Sequence, residues 1–330
     1  MLDSLLSQRL IFITGKGGVG KSTACAALGR ALSDRGRRVL IVETDTYSAM
    51  ADLFETPLND SEIAPVRGDD KLFLVNLSAE AALIHAIRQF VPSDRVARSV
   101  IQNRVASVFF KAAPSVNEFS ILNMVRYYLD IEGKERYDHV IVDLPASGHA
   151  VTFLNVPNTL HGMIRVGRFA QICRELGDHI ASPKKTAIVA VCLPEEMPVN
   201  ETIELADSIH DKLGRHLNMV MLNMVHRPPF SSQHRALFDA VSQSVADEAL
   251  SYLDQLSEPQ RVLRGASLAM EWHDRDLKYA RILTRKLADS IEILELPMLY
   301  EGSNERVITR LANVLNGKDN GDFSSEDLAS

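Results

Sequence analysis

The sequence predicts an α/β fold: a mostly parallel sheet with helices on both faces, plus a helical layer or subdomain. Short apolar, β-branched runs alternate along the chain with longer segments of helical periodicity. The runs are apolar at almost every position, which is typical of strands that helices cover on both sides. A chain of 330 residues, 46% hydrophobic and 24% charged, is long enough to bury such a core.

The apolar runs predict strands at residues 10–14, 39–42, 72–75, 140–142, 186–192, 217–222 and 291–294. Helical periodicity predicts helices at residues 21–35, 79–111, 117–131, 200–213, 232–290 and 304–316. Glycines end the first strand, and Pro92 divides the second helical stretch because Ser93 and Asp94 can cap a new helix. A further helix break is expected near Pro259, and residues 55–70 are expected to form a loop.

One domain is expected over residues 1–316, followed by a disordered acidic tail at residues 317–330. Residues 79–135 and 232–290 hold more helix than a minimal α/β unit needs. We expect these two segments to form a helical subdomain at one edge of the sheet.

Charge and cysteine content exclude several classes of function. A net charge of −7 argues against binding nucleic acid through bulk charge, which needs a surplus of Lys and Arg. The three cysteines lie far apart without a CxxC pair, so no zinc or iron–sulfur site is predicted. No apolar run is long enough to span a bilayer, and the first ten residues lack the cationic start of a signal peptide. We therefore expect a cytoplasmic protein with no direct membrane insertion, which leaves room for a peripheral membrane partner.

A phosphate-binding motif follows the first strand and opens the first helix. It fits G-x-x-x-x-G-K-[ST] and consists of Gly15, Lys16, Gly17, Gly18, Val19, Gly20, Lys21, Ser22 and Thr23. Glycines allow backbone N–H groups to surround phosphate oxygens, and the helix N-terminus adds partial positive charge. Lys21 would reach the β- and γ-phosphates of ATP, and the Ser22 hydroxyl would bind Mg²⁺. The alternative is a glycine-rich turn without a ligand.

Acidic residues follow two of the predicted strands. Asp45 comes just after the second strand, which lies beside the first strand in many such sheets, and Asp143 ends the strand at residues 140–142. The carboxyl ends of parallel strands are where a nucleotide site is expected. One carboxylate could orient an attacking water, and Asp143 could hold Mg²⁺ through water. Strand-end aspartates also cap following helices, and this alternative stays open.

Several segments resemble the arsenite-pump and guided-entry (tail-anchored protein targeting) ATPases. Residues 143–149, which read Asp-Leu-Pro-Ala-Ser-Gly-His, continue to Pro157 and resemble the family's second switch, D-T-A-P-T-G-H-T…F-L..P. Lys16 is the early lysine of the deviant Walker A motif found in the wider group that includes this family. Further matches lie at residues 114–118, 192–202 and 295–299. The resemblance covers most of residues 8–225, returns near 291–316, and is loose over 232–290.

The resemblance implies roles for individual residues. It makes Lys16 a lysine that reaches the nucleotide of a partner subunit, and Asp45 the residue of the first switch that positions the attacking water. It assigns the second switch to Asp143, Pro145, Ser147, Gly148 and His149. It also places Asn223 and Pro297 at the nucleotide, with Asn223 reading adenine and residues 228–229 closing over the base. The alternatives are a solvated loop lysine for Lys16 and an ordinary turn residue for Asn223.

The chain also departs from the family. The first switch reads D-P-A-H-N/S-L-S-D in the family, whereas Thr46 and Tyr47 follow Asp45 here, which places the hydrolysis rate in question. The interval between residues 157 and 186 is too short for a client-binding insert of the eukaryotic type. An apolar stripe in this interval can serve core or dimer packing or, alternatively, client binding: Leu160, Ile164, Phe169, Ile172 and Leu176.

The resemblance implies a homodimeric molecular switch that binds Mg²⁺ and ATP, hydrolyses ATP, and grips or releases an unknown protein or small-ligand client. Two alternatives remain. One is a positioning ATPase of the partitioning or cell-division type, which the acidic tail and the negative charge count against. The other is a nucleotide-binding scaffold without hydrolysis, which the altered first switch favours.

Overall fold

The computed structural model describes residues 2–45, 47–89, 114–129, 136–145, 147–231, 234–235, 238, 258–287 and 291–318. Within these ranges the chain forms an eight-stranded sheet in the order β3-β4-β2-β5-β1-β6-β7-β8. The strands are β1 (Leu10–Gly15), β2 (Val39–Glu43), β3 (Ala64–Pro65), β4 (Leu72–Asn76), β5 (His139–Asp143), β6 (Thr186–Cys192), β7 (Met219–Val225) and β8 (Glu292–Pro297). All neighbouring pairs are parallel except β3 with β4, so the predicted α/β class is confirmed.

Helices follow most strands within the described ranges. They are α1 (Lys21–Asp34), α2 (Ala49–Leu53), α3 (Ala79–Arg88), α4 (Pro114–Leu129), α5 (Ser147–Met163), α6 (Gly167–Ala181), α7 (Glu196–Leu213), α8 (Glu258–Leu287) and α9 (Asn304–Leu315). A short 3-10 helix spans Leu2–Ser4. Helices α4 and α7 begin a few residues before their predicted starts, while α5 and α6 lie where the sequence predicts no defined element. Some predicted segments lie outside the described residues. They are the rest of the predicted helices at 79–111 and 232–290 and the tail from residue 319.

Two hydrophobic cores cover the two faces of the sheet. Residues from α4, α5, α6, α7 and α8 pack on one face, and residues from α1 and α9 pack on the other. The described parts of residues 79–135 and 232–290 contribute side chains to the first of these cores, and the helical subdomain stays a prediction. Gly29 of α1 lies so close to β2 that an added Cβ would meet Ile41 Cδ1 at 2.6 Å. All three cysteines are buried and unbridged.

The strand order corrects the predicted position of the second strand. β5 lies between β1 and β2, so β2 is not the neighbour of β1. The order depends on pairings between distant parts of the chain, which local sequence patterns do not encode. In this register Glu43 lies opposite Asp143, and Asp143 lies opposite Ile13 of β1. Both acidic strand ends are thus brought beside the glycine-rich loop.

The sequence predicts a loop over residues 55–70, but two residues of this segment form a strand. Ala64 and Pro65 form β3, which pairs antiparallel with Leu74 and Phe73 of β4 at the edge of the sheet. Proline is tolerated there because an edge strand leaves some N–H groups unpaired. No helix in the described part of the chain is both long and apolar enough to cross a bilayer.

Candidate nucleotide-binding site

The glycine-rich loop between β1 and α1 has a conformation that only glycine accommodates at two positions. Gly15 has φ +147°, and a Cβ there would lie 2.3 Å from the Val191 carbonyl oxygen. Gly20 has φ +84°, and a Cβ there would lie 2.4 Å from Asn223 Nδ2. The loop therefore packs tightly against β6 and β7 while its N–H groups stay available at the start of α1. Lys21 Nζ donates to the Lys16 carbonyl oxygen at 3.0 Å and closes the loop.

Asp143 and Ser22 form the acidic side of this loop. Ser22 Oγ donates to Asp143 Oδ2 at 2.7 Å, and the buried Asp143 Oδ1 has no hydrogen-bond partner among the described residues. Burial raises the pKa of Asp143 and the nearby Asp45 charge adds to this, while Ser22 and Lys21 oppose it. A carboxylate oxygen without a partner next to a serine hydroxyl is a hard oxygen donor set of the kind Mg²⁺ prefers. The residues present therefore fit the predicted magnesium ion.

Lys21 shares the electrostatic environment of these acids. Burial lowers the pKa of Lys21, and the negative charges of Asp143 and Asp45 oppose this shift. No group of three His, Cys, Asp or Glu side chains in the described part of the chain could hold a metal ion alone. A magnesium ion at Ser22 and Asp143 would consequently need phosphate oxygens and water to complete its ligands.

Glu43 is a site residue that the sequence analysis missed. It is buried at the end of β2, where its carboxylate accepts hydrogen bonds from the Ser48 hydroxyl and, at 3.2 Å, from the Met50 N–H. Ser48 in turn caps α2 by accepting from the Ala51 N–H at 3.1 Å. Burial raises the pKa of Glu43. Glu43 thus holds the part of the first switch that contains Ser48 and Met50. The sequence pattern indicated only Asp45, two residues after Glu43.

The first switch has its own internal contact. The Tyr47 hydroxyl donates to the Asp52 carboxylate, and the Tyr47 side chain is 68% exposed. Thr46 lies outside the described residues. Tyr47, which stands where the family has Ala, is therefore bonded to Asp52, and the residues that follow it are held by Glu43.

Lys16 contacts a residue far along the chain. Its Nζ lies 2.7 Å from Glu201 Oε1 of α7, and both side chains are about one third exposed. The pair lies in a cleft of about 510 Å³ between the loop, α5 and α7. Gly148 also lines this cleft, while Pro145 and His149 are exposed nearby. Ser147 opens α5, and its side chain and Ala146 lie outside the described residues.

Asn223 lies within β7, whereas the sequence placed it at a strand end. It is buried, and its Nδ2 donates to the Val19 carbonyl oxygen at 2.9 Å. The next residue, Met224, has φ +60°, and the pairing of β7 with β8 shifts between Leu222 and Val225. Asn223 therefore ties β7 to the glycine-rich loop.

Pro297 is buried at the end of β8 and lies opposite Val225 of β7. The loop after β7 borders a pocket of about 210 Å³, which is lined by His226, Arg227, Pro228, Pro229, Ala269, Trp272, Met298 and Tyr300. Prolines, an aromatic ring and a methionine form a wall of the kind that covers a base. Pro297 directly precedes Met298, which lines this pocket. The nucleotide role of Pro297 stays a prediction.

A buried carboxylate on α8 holds this loop. Asp276 is fully buried, and its Oδ2 accepts from the N–H and the Nδ1 of His226, each at 2.8 Å. His273 Nδ1 donates to the His226 carbonyl oxygen at 2.8 Å. Helix α8 therefore fixes the backbone three residues beyond Asn223. No sequence pattern linked Asp276 to the site, because its partner lies 50 residues away.

We expect Asp276→Ala to lower the free energy of unfolding by about 3 kcal/mol, because it leaves buried donors unpaired. The matched control is Asp274→Ala, which removes an exposed ion pair with Arg235 and should cost about 0.5 kcal/mol. Denaturant unfolding of the full chain measures both. Equal losses in the two variants would show that Asp276 does not anchor the loop.

Comparisons with known proteins bear on this site. The chain matches the family model described as "Anion-transporting ATPase" over residues 8–180. It is 26% identical to an arsenical pump-driving ATPase of Acidiphilium multivorum, over 74% of this chain and 43% of that protein. It is 29% identical to the ATPase BagA of Mycobacterium tuberculosis, over 62% of each chain. It is 23% identical to the ATPase GET3 of Zygosaccharomyces rouxii, over 92% of this chain and 98% of that protein. The chain thus spans less than two thirds of the pump-driving and mycobacterial relatives.

Proposed function

Because the chain belongs to the anion-transporting ATPase family, we propose that it hydrolyses ATP to ADP and phosphate with Mg²⁺ bound. The observation that carries this proposal is the grouping of Lys21, Ser22 and Asp143 at the glycine-rich loop. Lys21 donates to a neutral carbonyl oxygen of its own loop, and a charged phosphate oxygen is a stronger acceptor that can replace it. A bound Mg²⁺ would neutralise charge on the β- and γ-phosphates.

Each residue of the site has a proposed task. The glycine-rich loop and the start of α1 hold the phosphates by N–H donation, and Lys21 adds a cation to the γ-phosphate. Ser22 and Asp143 would hold the magnesium ion, with Asp143 acting through water. Asp45 orients the water that attacks the γ-phosphate. Asn223 and the loop after β7 contact adenine.

The protein is also proposed to be a cytoplasmic homodimer that works as a switch. Lys16 would leave Glu201 and reach the nucleotide of the partner subunit, which couples ATP binding to closure of the dimer. Opening after hydrolysis would bind or release a client whose identity the sequence does not give. The relative named as an arsenical pump-driving ATPase supports a coupled ATPase of this kind.

One observation favours a second candidate function, a nucleotide-binding scaffold without hydrolysis. The first switch carries an exposed tyrosine bonded to Asp52, in a segment that Glu43 also holds. A switch that is held in this way could fail to bring Asp45 to the attacking water. Hydrolysis measurements separate the two candidates.

The test uses the full chain. ATP hydrolysis is measured with and without Mg²⁺, and molar mass is measured in ADP and in a non-hydrolysable ATP analogue. Turnover that needs Mg²⁺ and a dimer that forms with the analogue are expected. Tight ATP binding without turnover would favour the scaffold, and equal affinity for ATP and GTP would contradict the adenine role of Asn223.

Asp143→Asn provides a test with a readout other than activity. Burial raises the pKa of Asp143 above its ordinary value of 3.8. The charged carboxylate therefore lowers the free energy of unfolding at a pH above the raised pKa, and this loss of stability disappears below pH 3.8. The variant should therefore melt at a higher temperature than the wild type at about pH 7, with a smaller difference at about pH 4. It should also lose the tightening of ATP binding by Mg²⁺, by about tenfold. Calorimetric melting and nucleotide titration with and without Mg²⁺ measure the two effects.

A further inference from the structure

The turn between α5 and α6 exposes apolar side chains to solvent. We call residues 163–168 the hairpin tip. Within it, Met163 is 75% exposed, Ile164 is 44% exposed and Val166 is 83% exposed. Single exposed apolar residues are ordinary on protein surfaces, but a contiguous group marks an interaction site. Of the other four residues of the predicted apolar stripe, Ile172 and Leu176 are buried in the core, and Leu160 and Phe169 are partly buried against it.

The hairpin tip itself carries charge of the opposite sign to that of the whole protein. The chain carries a net charge of −7, yet it has no Asp or Glu between Asp143 and Glu175. Arg165 and Arg168 lie in the tip itself and are exposed. Arg168 Nη1 donates to the Gln89 carbonyl oxygen at 3.1 Å, and Arg174 Nε lies 3.3 Å from His161 Nε2. Neither contact neutralises a guanidinium.

The start of α6 adds to this positive potential. Val166 is the N-cap residue and provides no side-chain hydrogen bond to the first turn of the helix. The first N–H groups of α6 therefore point towards the tip without a side-chain cap. Gly167 has φ +89°, which allows the sharp turn that brings the apolar side chains and the helix start to one end of the hairpin.

We propose that the hairpin tip docks on an anionic phospholipid surface. Apolar side chains flanked by arginines suit the boundary between headgroups and acyl chains, where the arginines meet lipid phosphates. The contact lies at the surface of the bilayer and involves no spanning helix. Pairing between two copies of the tip is disfavoured, because it would bring the arginines of both copies together. The proposal does not depend on ATP hydrolysis.

The test places a fluorescent label at the tip of the full chain. Because the three native cysteines are buried, Val166→Cys supplies an accessible thiol for an environment-sensitive NBD label. Val262→Cys on α8 is the matched control, since Val262 is 67% exposed. Vesicles that contain phosphatidylglycerol should increase and blue-shift the emission at position 166 only, and pure phosphatidylcholine vesicles should not. An equal response at position 262, or no response at either position, would overturn the proposal.

Vesicle co-sedimentation then separates the apolar and charged parts of the tip. Met163→Ser with Val166→Ser, and separately Arg165→Glu, should each weaken binding to anionic vesicles by about tenfold or more. The control pair Met197→Ser with Val262→Ser should bind like the wild type, because it removes the same two types of exposed apolar side chain elsewhere on the protein. Molar mass that falls in the tip variants without a change in vesicle binding would assign the tip to a contact between copies. A response to polyglutamate equal to that for vesicles would assign it to an acidic protein.

Discussion

Replacing Asp45 with Asn is expected to lower the rate of ATP hydrolysis by about 100-fold or more, because the attacking water loses its positioning carboxylate. Asp45 lies close enough to Lys21 and Asp143 for its charge to influence the pKa of both. In the proposed complex with ATP, a carboxylate in that position would border the γ-phosphate. Asparagine keeps the shape and removes the charge, so the loss would reflect the chemistry and not the fold.

ATP affinity should respond in the opposite direction. Removing a negative charge beside the phosphates reduces repulsion, so Asp45→Asn should bind ATP at least as tightly as the wild type. The control is Asp211→Asn, which changes an exposed aspartate on α7 and should keep the wild-type rate. Single-turnover hydrolysis and nucleotide titration measure the two quantities. An unchanged rate in Asp45→Asn would show that Asp45 has no role in hydrolysis. A wild-type protein that binds ATP without turnover would favour the nucleotide-binding scaffold over the ATPase.

The glycine-rich loop could be predicted from sequence because its signal is local. Nine adjacent residues carry the motif, and the flanking strand and helix follow from short-range periodicity. Lys21 and Ser22 open helix α1, as the motif predicts, and their phosphate and magnesium roles stay predictions. The parallel sheet was predictable for the same reason, since runs that are apolar on both faces need helices on both sides.

The residues that sequence reasoning missed depend on pairings between distant segments. Glu43 gains its role because β2 lies beside β5 and places it opposite Asp143. Asp276 reaches His226 across 50 residues, and Glu201 reaches Lys16 across 185 residues. Such contacts are set by packing of helices on the sheet, and no spacing along the chain indicates them.

Replacing Lys16 with Ala is expected to lower the rate of ATP hydrolysis by about 1000-fold. A loss of this size is typical when a partner no longer supplies a cation to the phosphoryl group that is transferred. The same variant should fail to form a dimer with the non-hydrolysable analogue. In the single chain, however, Lys16 lies 2.7 Å from Glu201. Lys16 can reach a partner subunit only if this ion pair opens, so Glu201 competes with the partner's nucleotide for the same ammonium group.

Because of this competition, substitutions of Lys16 and of Glu201 should change dimer formation in opposite directions. Glu201→Gln weakens the hold on Lys16, and since the pair is about one third exposed, the dimer with the analogue should form about threefold more readily. An ion pair that serves only local stability predicts small losses of the same sign in both variants. Molar mass as a function of analogue concentration, measured beside turnover for both variants, decides between these cases. A Glu201→Gln variant that dimerises less readily than the wild type would show that Glu201 does not hold Lys16 back from the partner, and the proposed competition would then be wrong.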